Sequence, residues 1–361
     1  MSTPQDTPET SAPSETLQRD GLPLVSVVIP VRNEEGFIAR TLDQILAQDY
    51  PAESMEIIVA DGMSDDRTRD ILAEYAERYP QVRMVDNPER ITPVGLNVAI
   101  AAARGEIITR IDGHCEVAGD FIRCNIELLD EHPEAWVTGG PIVHAGKNAF
   151  GEAVAVAMSH PAGVGMATHR FPDYEGYVEG AQFPTFRRWV FDRIGMFDER
   201  LVRNQDDELN YRITQAGGKC FVSPRVRYVY YVRGRIGQLF RQYFQYSFWR
   251  IPVMKKHKRP TTPRQVMPLL FYFAVVVMAI LGIVLRNPWV ALALPAVYLA
   301  TLGAIGLSQI PRKGLRVALL VPVAIAVMHL AYALGMLYGF WASAFRRRAW
   351  DPRGSMSALT R

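Results

Sequence analysis

The 361-residue chain has few cysteines and little net charge, and each shortage narrows its possible classes. The three cysteines, Cys115, Cys124 and Cys220, lack the spacing of metal ligands, which is typical of a protein in a reducing compartment. The 40 basic and 37 acidic residues leave a formal net charge of +3, too small to predict nucleic acid as a partner. We expect no cleavable signal peptide, because no cationic segment followed by an apolar one opens the sequence. No Gly-x-Gly-x-x-Gly follows the first apolar run, which disfavours a nicotinamide-dependent enzyme.

Charged residues are also missing from three long stretches near the carboxyl end. About 20 consecutive apolar residues span a bilayer, so these stretches predict about three transmembrane helices within residues 265–345. We therefore expect a multi-pass protein of the inner or plasma membrane. The stretches without Asp, Glu, Lys or Arg are residues 265–285, 287–311 and 317–345.

The basic residues around these stretches favour one orientation. Lysine and arginine occur at 255–264 and at 312–313, as expected for cytoplasmic segments, and we expect the catalytic part to face the cytoplasm. With three spans, the basic tail at 346–361 would then begin on the outer side. A broken or re-entrant segment near Pro295 or Pro322 would change that count, and the sequence leaves both arrangements open.

An α/β pattern precedes the apolar stretches. Residues 1–22 are rich in Ser, Thr, Pro and Glu and are expected to form a disordered tail. Residues 23–234 alternate apolar runs of strand type with helical periodicity, which predicts parallel βαβ units in one domain. The first four expected strands are residues 24–30, 56–60, 82–85 and 106–111.

Two of these strands end in side chains suited to a ligand. Asp61 ends the second strand, and Asp112 and His114 follow the fourth with one glycine between them. Ligands of open α/β sheets bind beyond the carboxyl ends of the strands. Because Mg²⁺ and Mn²⁺ typically take one or two protein ligands plus substrate phosphates, Asp112 and His114 are candidates for holding a metal and its diphosphate.

A helix with one aromatic face is expected between the two regions. Residues 235–264 place apolar side chains at helical spacing and add a basic run at 255–259. Such a segment can lie on a membrane with its cations on anionic lipids, although an ordinary surface helix is the alternative. The expected interface residues are Arg241, Tyr243, Trp249, Lys255 and Lys256.

Four motifs occur together, and as a set they resemble the family 2 glycosyltransferases of the GT-A fold. The resemblance covers about residues 24–250 and implies a Rossmann-like, mostly parallel sheet flanked by helices. It is closest to bacterial exopolysaccharide enzymes of the succinoglycan-synthesis type, through residues 160–165 and 241–246. The four motifs are Pro30 with Asn33-Glu34, Asp61-x-x-Ser64-x-Asp66-x-Thr68, Asp112-Gly-His114, and Asn204-Gln-Asp-Asp-Glu-Leu-Asn-Tyr-Arg212.

The resemblance implies a role for each matching residue. Asp206 would be the general base, and Asp112 and His114 would bind Mn²⁺ or Mg²⁺. Asp61 would accept a hydrogen bond from the nucleobase of the sugar donor. Because a carboxylate can accept the N3–H of uracil, a UDP-sugar is favoured. The residues expected to bind the nucleotide sugar are Pro30, Asn33, Glu34, Asp61, Asn97 and Asp112.

Two positions depart from the family pattern. His114 replaces the second aspartate of the usual Asp-x-Asp, and neutral imidazole suits Mn²⁺ better than Mg²⁺, so the identity of the metal stays open. Gln205 stands where a glutamate usually precedes the base. Loss of that negative charge should leave the pKa of Asp206 less raised.

The expected function is inverting transfer of a sugar from a nucleoside diphosphate sugar to a lipid-linked, polyprenyl-diphosphate acceptor during exopolysaccharide synthesis. A processive polysaccharide synthase and a polyprenyl-phosphate sugar synthase are the enzyme alternatives. The processive enzymes carry Gln-x-x-Arg-Trp, whereas this chain has Phe248 at the arginine position before Trp249. A catalytically silent membrane scaffold of an export complex is the alternative from another class. The expected partners are the donor, the acceptor and membrane lipids.

Overall fold

The computed structural model describes residues 21–260 and 262–345. Two tails predicted from the sequence lie outside this part of the chain. They are the first 20 residues of the expected 1–22 tail and the whole of residues 346–361. Eleven strands are present among the described residues. They are β1 (Val25–Val31), β2 (Met55–Asp61), β3 (Val82–Asp86), β4 (Ile107–Arg110), β5 (Glu116–Val117), β6 (Ala135–Gly139), β7 (Val143–Ala145), β8 (Gly176–Val178), β9 (Thr185–Arg187), β10 (Lys219–Val222) and β11 (Tyr228–Tyr231).

Helices flank the strands and then continue alone to the end of the described chain. The first eight are α1 (Ile38–Leu46), α2 (Thr68–Arg78), α3 (Thr92–Ala102), α4 (Phe121–Glu131), α5 (Ala149–Met158), α6 (Pro161–Val164), α7 (Trp189–Ile194) and α8 (Gln205–Gln215). The last four are α9 (Ile236–His257), α10 (Met267–Val284), α11 (Pro288–Ser308) and α12 (Ile310–Phe345).

The main sheet has eight strands in the order β3-β2-β1-β4-β9-β6-β10-β8. Its first four strands are parallel, β9 runs antiparallel to β4 and β6, and β8 runs antiparallel to β10. A second sheet has the order β5-β11-β7. The expected βαβ units are therefore confirmed, and β1, β2 and β4 end at one edge.

Both faces of the main sheet are buried, which explains the continuous apolar runs of its strands. In β1, Val27 and Ile29 pack towards α1 and α4, whereas Val28 packs towards α3 with Leu96. The alternation of side chains along a strand thus supplies both cores. This packing fixes the edge at which the loops after β1, β2 and β4 meet.

Among the described residues, three helices are long and apolar enough to cross a membrane, as the sequence predicts. The candidate spans are Pro263–Val284, Pro288–Ser308 and Ile310–Phe345. Pro295 and Pro322 both lie inside helices, so neither breaks its segment. The backbone leaves helical geometry instead at Gly314, where φ is 76°.

Helix α9 packs closely against α12 through glycines spaced four residues apart. A Cβ atom on Gly335 would overlap the carbonyl oxygen of Phe244, and one on Gly339 would lie 2.7 Å from Ile251 Cγ1. Small residues at this spacing let two helix backbones approach. Side chains of α9 on this face are therefore enclosed by protein.

This packing corrects the interface prediction for two residues. Tyr243 is 6% exposed and Trp249 is 1% exposed, so neither side chain reaches a membrane surface. Trp249 lies in a cluster with Phe248 and Ala342. The aromatic face predicted by periodicity is real, but its partner is α12.

The basic end of α9 also turns partly inward. Lys256 Nζ lies 2.7 Å from both Asp198 Oδ2 and Glu208 Oε1, so this lysine serves the protein rather than a lipid head group. Arg241 and Lys255 are exposed. For these two residues, contact with membrane lipids remains a prediction.

Candidate active site

The loops after β1 and β2 are joined by hydrogen bonds from side chains to backbone. Asn33 adopts a left-handed conformation with φ of 56°. Its backbone N–H donates to Ser64 Oγ at 2.9 Å, and its Oδ1 accepts from the N–H of Asp65 at 3.1 Å. The N–H of Glu34 donates to Thr68 Oγ1 at 2.8 Å. The two motifs therefore form one rigid rim.

Asp61 lies fully buried at the base of this rim. Its Oδ1 accepts from Ser64 Oγ at 2.5 Å, and its Oδ2 accepts from Arg69 Nη1 at 2.6 Å. Arg69 also pairs with Asp86 at the end of β3. Pro30 is half-buried nearby, beside Ala60 in the register of β1 and β2. Asp61 and Pro30, two of the residues expected to bind the nucleotide sugar, thus lie at the shared sheet edge.

The Asp-Gly-His segment follows β4 at the same edge. Gly113 is packed so closely that a Cβ atom would lie 2.7 Å from Val31 Cγ1, and its carbonyl accepts from Thr41 Oγ1 at 3.0 Å. His114 is exposed, and its Nδ1 lies 2.9 Å from Glu34 Oε1. This hydrogen bond raises the pKa of His114. Glu34 and His114 therefore meet across the rim.

These side chains fit a divalent metal held by few protein ligands. With Nδ1 bonded to Glu34, His114 has Nε2 left to coordinate an ion, and a carboxylate on the other ring nitrogen is the usual support of such a ligand. Asp112 Oδ1 accepts from Arg110, which leaves Oδ2. Within the described residues no cluster of three or more His, Cys, Asp or Glu side chains forms a metal site. The donor set thus matches an ion completed by phosphate oxygens.

Arg110 connects the Asp112 end of the sheet edge, where the nucleotide sugar (the donor) is expected to bind and which we call the donor edge, with Asp206, the expected general base. It is the last residue of β4 and is 5% exposed. Its Nη2 donates to Asp112 Oδ1 at 2.9 Å, and its Nη1 lies 3.9 Å from Asp206 Oδ2. Sequence reasoning missed this residue, although a charged side chain inside a buried strand was a signal. Arg110 brings the third and fourth motifs together.

Asp206 lies in the first turn of α8 with its side chain 38% exposed. Loss of solvent and the neighbouring charge of Asp207 raise its pKa, while Arg110 acts in the opposite direction. The Asp207 carboxylate is instead engaged in an ion pair, because Arg250 Nη2 donates to its Oδ2 at 2.8 Å. The two adjacent carboxylates therefore face different partners.

Glu208 supports α8 from beneath. It is fully buried and accepts from Arg212 Nε at 3.0 Å, as the four-residue spacing predicts. Lys256 and His257 contact the same carboxylate from α9. This network fixes the start of α8, and hence Asp206, against the carboxyl-terminal helices.

Asn97 lies between α3 and the loop that precedes α8. Its Nδ2 donates to Phe197 O and to Glu199 Oε1, both at 2.9 Å, and its Oδ1 accepts from the N–H of Phe197 at 3.0 Å. The amide thus joins α3 to the loop before α8. Contact between Asn97 and a nucleotide sugar stays a prediction.

Comparisons with known proteins identify relatives of this chain. The sequence model of Glycosyl transferase family 2 matches residues 26–193. Succinoglycan biosynthesis protein ExoA of Rhizobium meliloti is 30% identical over 331 residues, which cover 89% of this chain and 96% of that protein. A protein of Methanococcus voltae is 26% identical over 231 residues, covering 62% of this chain and 71% of its own. It is called dolichyl N-acetyl-alpha-D-glucosaminyl phosphate 3-beta-D-2,3-diacetamido-2,3-dideoxy-beta-D-glucuronosyltransferase.

A solved structure shows the same fold. The mannosyltransferase PcManGT of Pyrobaculum calidifontis, in complex with GDP-Man and Mn²⁺, superposes with a TM-score of 0.55 at 21% identity. The superposition covers 87% of this chain and 88% of that one. The sheet order, the shared edge and the full-length relative lead to one assignment: the chain belongs to glycosyltransferase family 2, with a GT-A fold followed by three apolar helices.

Proposed function

We propose that this glycosyltransferase moves a sugar from a nucleoside diphosphate sugar to a lipid-linked saccharide and inverts the anomeric centre. The observation that carries the proposal is the position of Arg110, which contacts Asp112 on the donor side and lies 3.9 Å from Asp206. Arg110 thus links Asp206 to a residue expected to bind the donor, which supports a role for Asp206 in accepting the proton of the acceptor hydroxyl.

The donor would bind along the rim formed by the first three motifs. Pro30 lies near the end of β1, Asn33 and Glu34 follow that strand, and Asp61 lies buried at the end of β2. Asp61 would accept the N3–H of uracil at the oxygen that Arg69 holds, once Arg69 moves aside. A UDP-sugar is therefore the first donor to test.

Asp112 and His114 would hold a divalent cation, with Glu34 orienting the imidazole. The bound cation, Mn²⁺ or Mg²⁺, would neutralise the charge of the leaving diphosphate. The residues of the rim would hold the nucleotide so that its sugar lies near the start of α8.

Transfer proceeds as one displacement. The acceptor oxygen forms a bond to the anomeric carbon while the bond from that carbon to the diphosphate oxygen breaks, and the hydroxyl proton passes to Asp206. The raised pKa of Asp206 improves its match to this task. Because the incoming and leaving oxygens lie on opposite faces of the sugar, the product has the inverted configuration.

The name of one relative supports exopolysaccharide synthesis, and the name of another supports a lipid-linked acceptor. One is a succinoglycan biosynthesis protein, and the other is named for a dolichyl-linked sugar phosphate. The three apolar helices would hold the enzyme in the membrane that contains such an acceptor. We further propose that residues 23–234 form the catalytic domain on the cytoplasmic side and that residues 235–264 join it to the membrane.

The test is a screen with purified full-length protein in detergent. Radiolabelled nucleotide sugars are incubated with Mn²⁺ and a bacterial lipid extract, and the organic phase is counted. The proposal predicts transfer of one sugar to an extractable lipid. Label that enters a long polymer would favour a processive synthase, and the complete absence of both transfer and hydrolysis would favour a scaffold.

A further inference from the structure

A cavity of about 410 Å³ lies where the α/β part meets the carboxyl-terminal helices, and we call it the interhelical cavity. Arg170, Asp207 and Arg250 line its polar side, and Met267 and Phe271 of α10 line its apolar side together with side chains of α11 and α12. Small-molecule sites typically occupy roughly 300–1,000 Å³. Charge on one side and apolar walls on the other suit an amphiphilic ligand.

The polar side carries more positive charge than its carboxylates neutralise. Arg250 donates to Asp207, but its Nε and Nη1 atoms are buried and have no hydrogen-bond acceptor among the described residues. Arg170 Nη1 is also buried without an acceptor in this part of the chain. Arginine keeps its charge at physiological pH, and burying an unpaired charge is costly. The guanidinium nitrogens of Arg170 and Arg250 that lack acceptors therefore suit an anionic ligand in the cavity.

The interhelical cavity also adjoins the proposed base. Asp206 and Asp207 are consecutive residues of α8, and they have different partners. Asp206 lies towards Arg110 and the donor edge, whereas Asp207 lies towards Arg250 and the cavity. An acceptor anchored in the cavity would thus present its first sugar to Asp206.

We propose that the interhelical cavity binds the diphosphate of the lipid-linked acceptor, an inference that rests on the proposed function. Arg170 and Arg250 donate to the phosphate oxygens through their guanidinium groups. The isoprenyl chain passes Met267 and Phe271 and then follows α10, whose outward side chains, such as Phe273, are exposed and apolar. Charge on Arg170 and Arg250 therefore sets acceptor affinity and leaves donor binding unchanged.

Binding of farnesyl diphosphate, a short isoprenyl diphosphate, tests the inference on the full-length protein in detergent. Isothermal titration in EDTA prevents a metal-bridged diphosphate at the donor edge from contributing. We expect the dissociation constant to rise at least about tenfold in Arg170→Gln and Arg250→Gln, because each loses a charge-assisted hydrogen bond. Arg170→Lys should recover part of the affinity. Arg225→Gln removes a surface arginine paired with Glu131 and should bind like the wild type.

The competitors identify the ligand class. Inorganic pyrophosphate should bind more weakly than farnesyl diphosphate, and a tenfold excess of phosphatidylglycerol should not displace it. Equal binding of pyrophosphate would remove the role of the apolar wall, and displacement by phosphatidylglycerol would assign the cavity to a structural phospholipid. Either result overturns the inference.

Folding and function are separated by two further readouts. Arg170→Gln should not lower the melting temperature of the ligand-free protein, because the variant removes a charged group whose buried Nη1 has no acceptor among the described residues. Unchanged farnesyl diphosphate binding in both variants would overturn this inference while sugar transfer by the wild type continued. Failure of the wild type to transfer any sugar, with binding intact, would instead overturn the proposed function.

Discussion

Replacing Asp206 by asparagine keeps the size of the side chain and removes its basicity. A general base typically contributes about 10²–10⁴ in rate, which corresponds to about 2.7–5.5 kcal/mol of activation free energy. We expect kcat of Asp206→Asn to fall by that factor. The dissociation constant of the nucleotide sugar should change little, because the proposed donor contacts lie at Asp61 and Asp112. Initial rates at saturating donor and acceptor, together with equilibrium binding of the donor, measure the two effects separately.

The pH profile follows from the charges around Asp206. Desolvation and Asp207 raise its pKa above the ordinary value of 3.8, so kcat should fall with decreasing pH at a point above 3.8. Arg110, 3.9 Å away, limits the rise. At an effective dielectric constant near 20, this pair is worth about 4 kcal/mol, less where solvent screens a carboxylate that is 38% exposed. The charge of Arg110 therefore favours the ionised, proton-accepting form of Asp206 against the two causes that raise its pKa.

Asp207→Asn provides the matched comparison. It removes the negative charge that raises the pKa of Asp206, so the acid limb of kcat should move to lower pH while the plateau rate is largely kept. If Asp207→Asn loses the plateau rate and Asp206→Asn keeps it, the base is Asp207 and the reasoning is refuted. If both variants stay active, the base lies elsewhere. Glu208 is a poor substitute because it is fully buried and paired.

Three other predictions concern the metal, the core and the helix packing. EDTA should abolish transfer, Mn²⁺ should restore it at least as well as Mg²⁺, and His114→Ala should need more metal; full activity in EDTA would contradict this site. Burial alone would raise the pKa of Glu56, but hydrogen bonds from Ser26, Arg104 and Arg83 lower it to about 2. Glu56→Gln should thus lose about 3 kcal/mol of unfolding free energy at pH 7, and the difference, measured by denaturant titration, should shrink as pH falls from 4.5 towards 2. Gly335→Val should lower the melting temperature because its side chain would overlap Phe244, whereas Gly303→Val, which meets open space, should not.

The sheet edge could be predicted from the sequence because its causes are local. Apolar runs mark β1, β2 and β4, and parallel strands bring their carboxyl ends together whatever the details of packing. Asp61 and Asp112 consequently lie where the pattern predicted. The hydrogen bonds that join Asn33 to the loop after β2 could not be predicted, since they depend on a left-handed backbone at Asn33.

Contacts between segments that are distant in the chain could not be predicted from the sequence. Helical periodicity marks the aromatic face of α9 but does not say whether lipid or protein covers it, and for Trp249 the cover is α12. Arg110 and Asp206 belong to different motifs, and only the fold shows that they lie 3.9 Å apart. Arg170 belongs to a sequence stretch with no periodic signal, yet it ends a short 3₁₀ helix, Thr168–Arg170, and lines the interhelical cavity with Arg250.

The configuration of the product tests the central claim most directly. Purified wild-type enzyme is given a nucleotide sugar of known anomeric configuration, and the bond formed with the lipid-linked acceptor is assigned from the anomeric proton coupling by nuclear magnetic resonance. A single displacement with Asp206 as base predicts that an α-linked donor gives a β-linked product. A product that retains the donor configuration would contradict the mechanism.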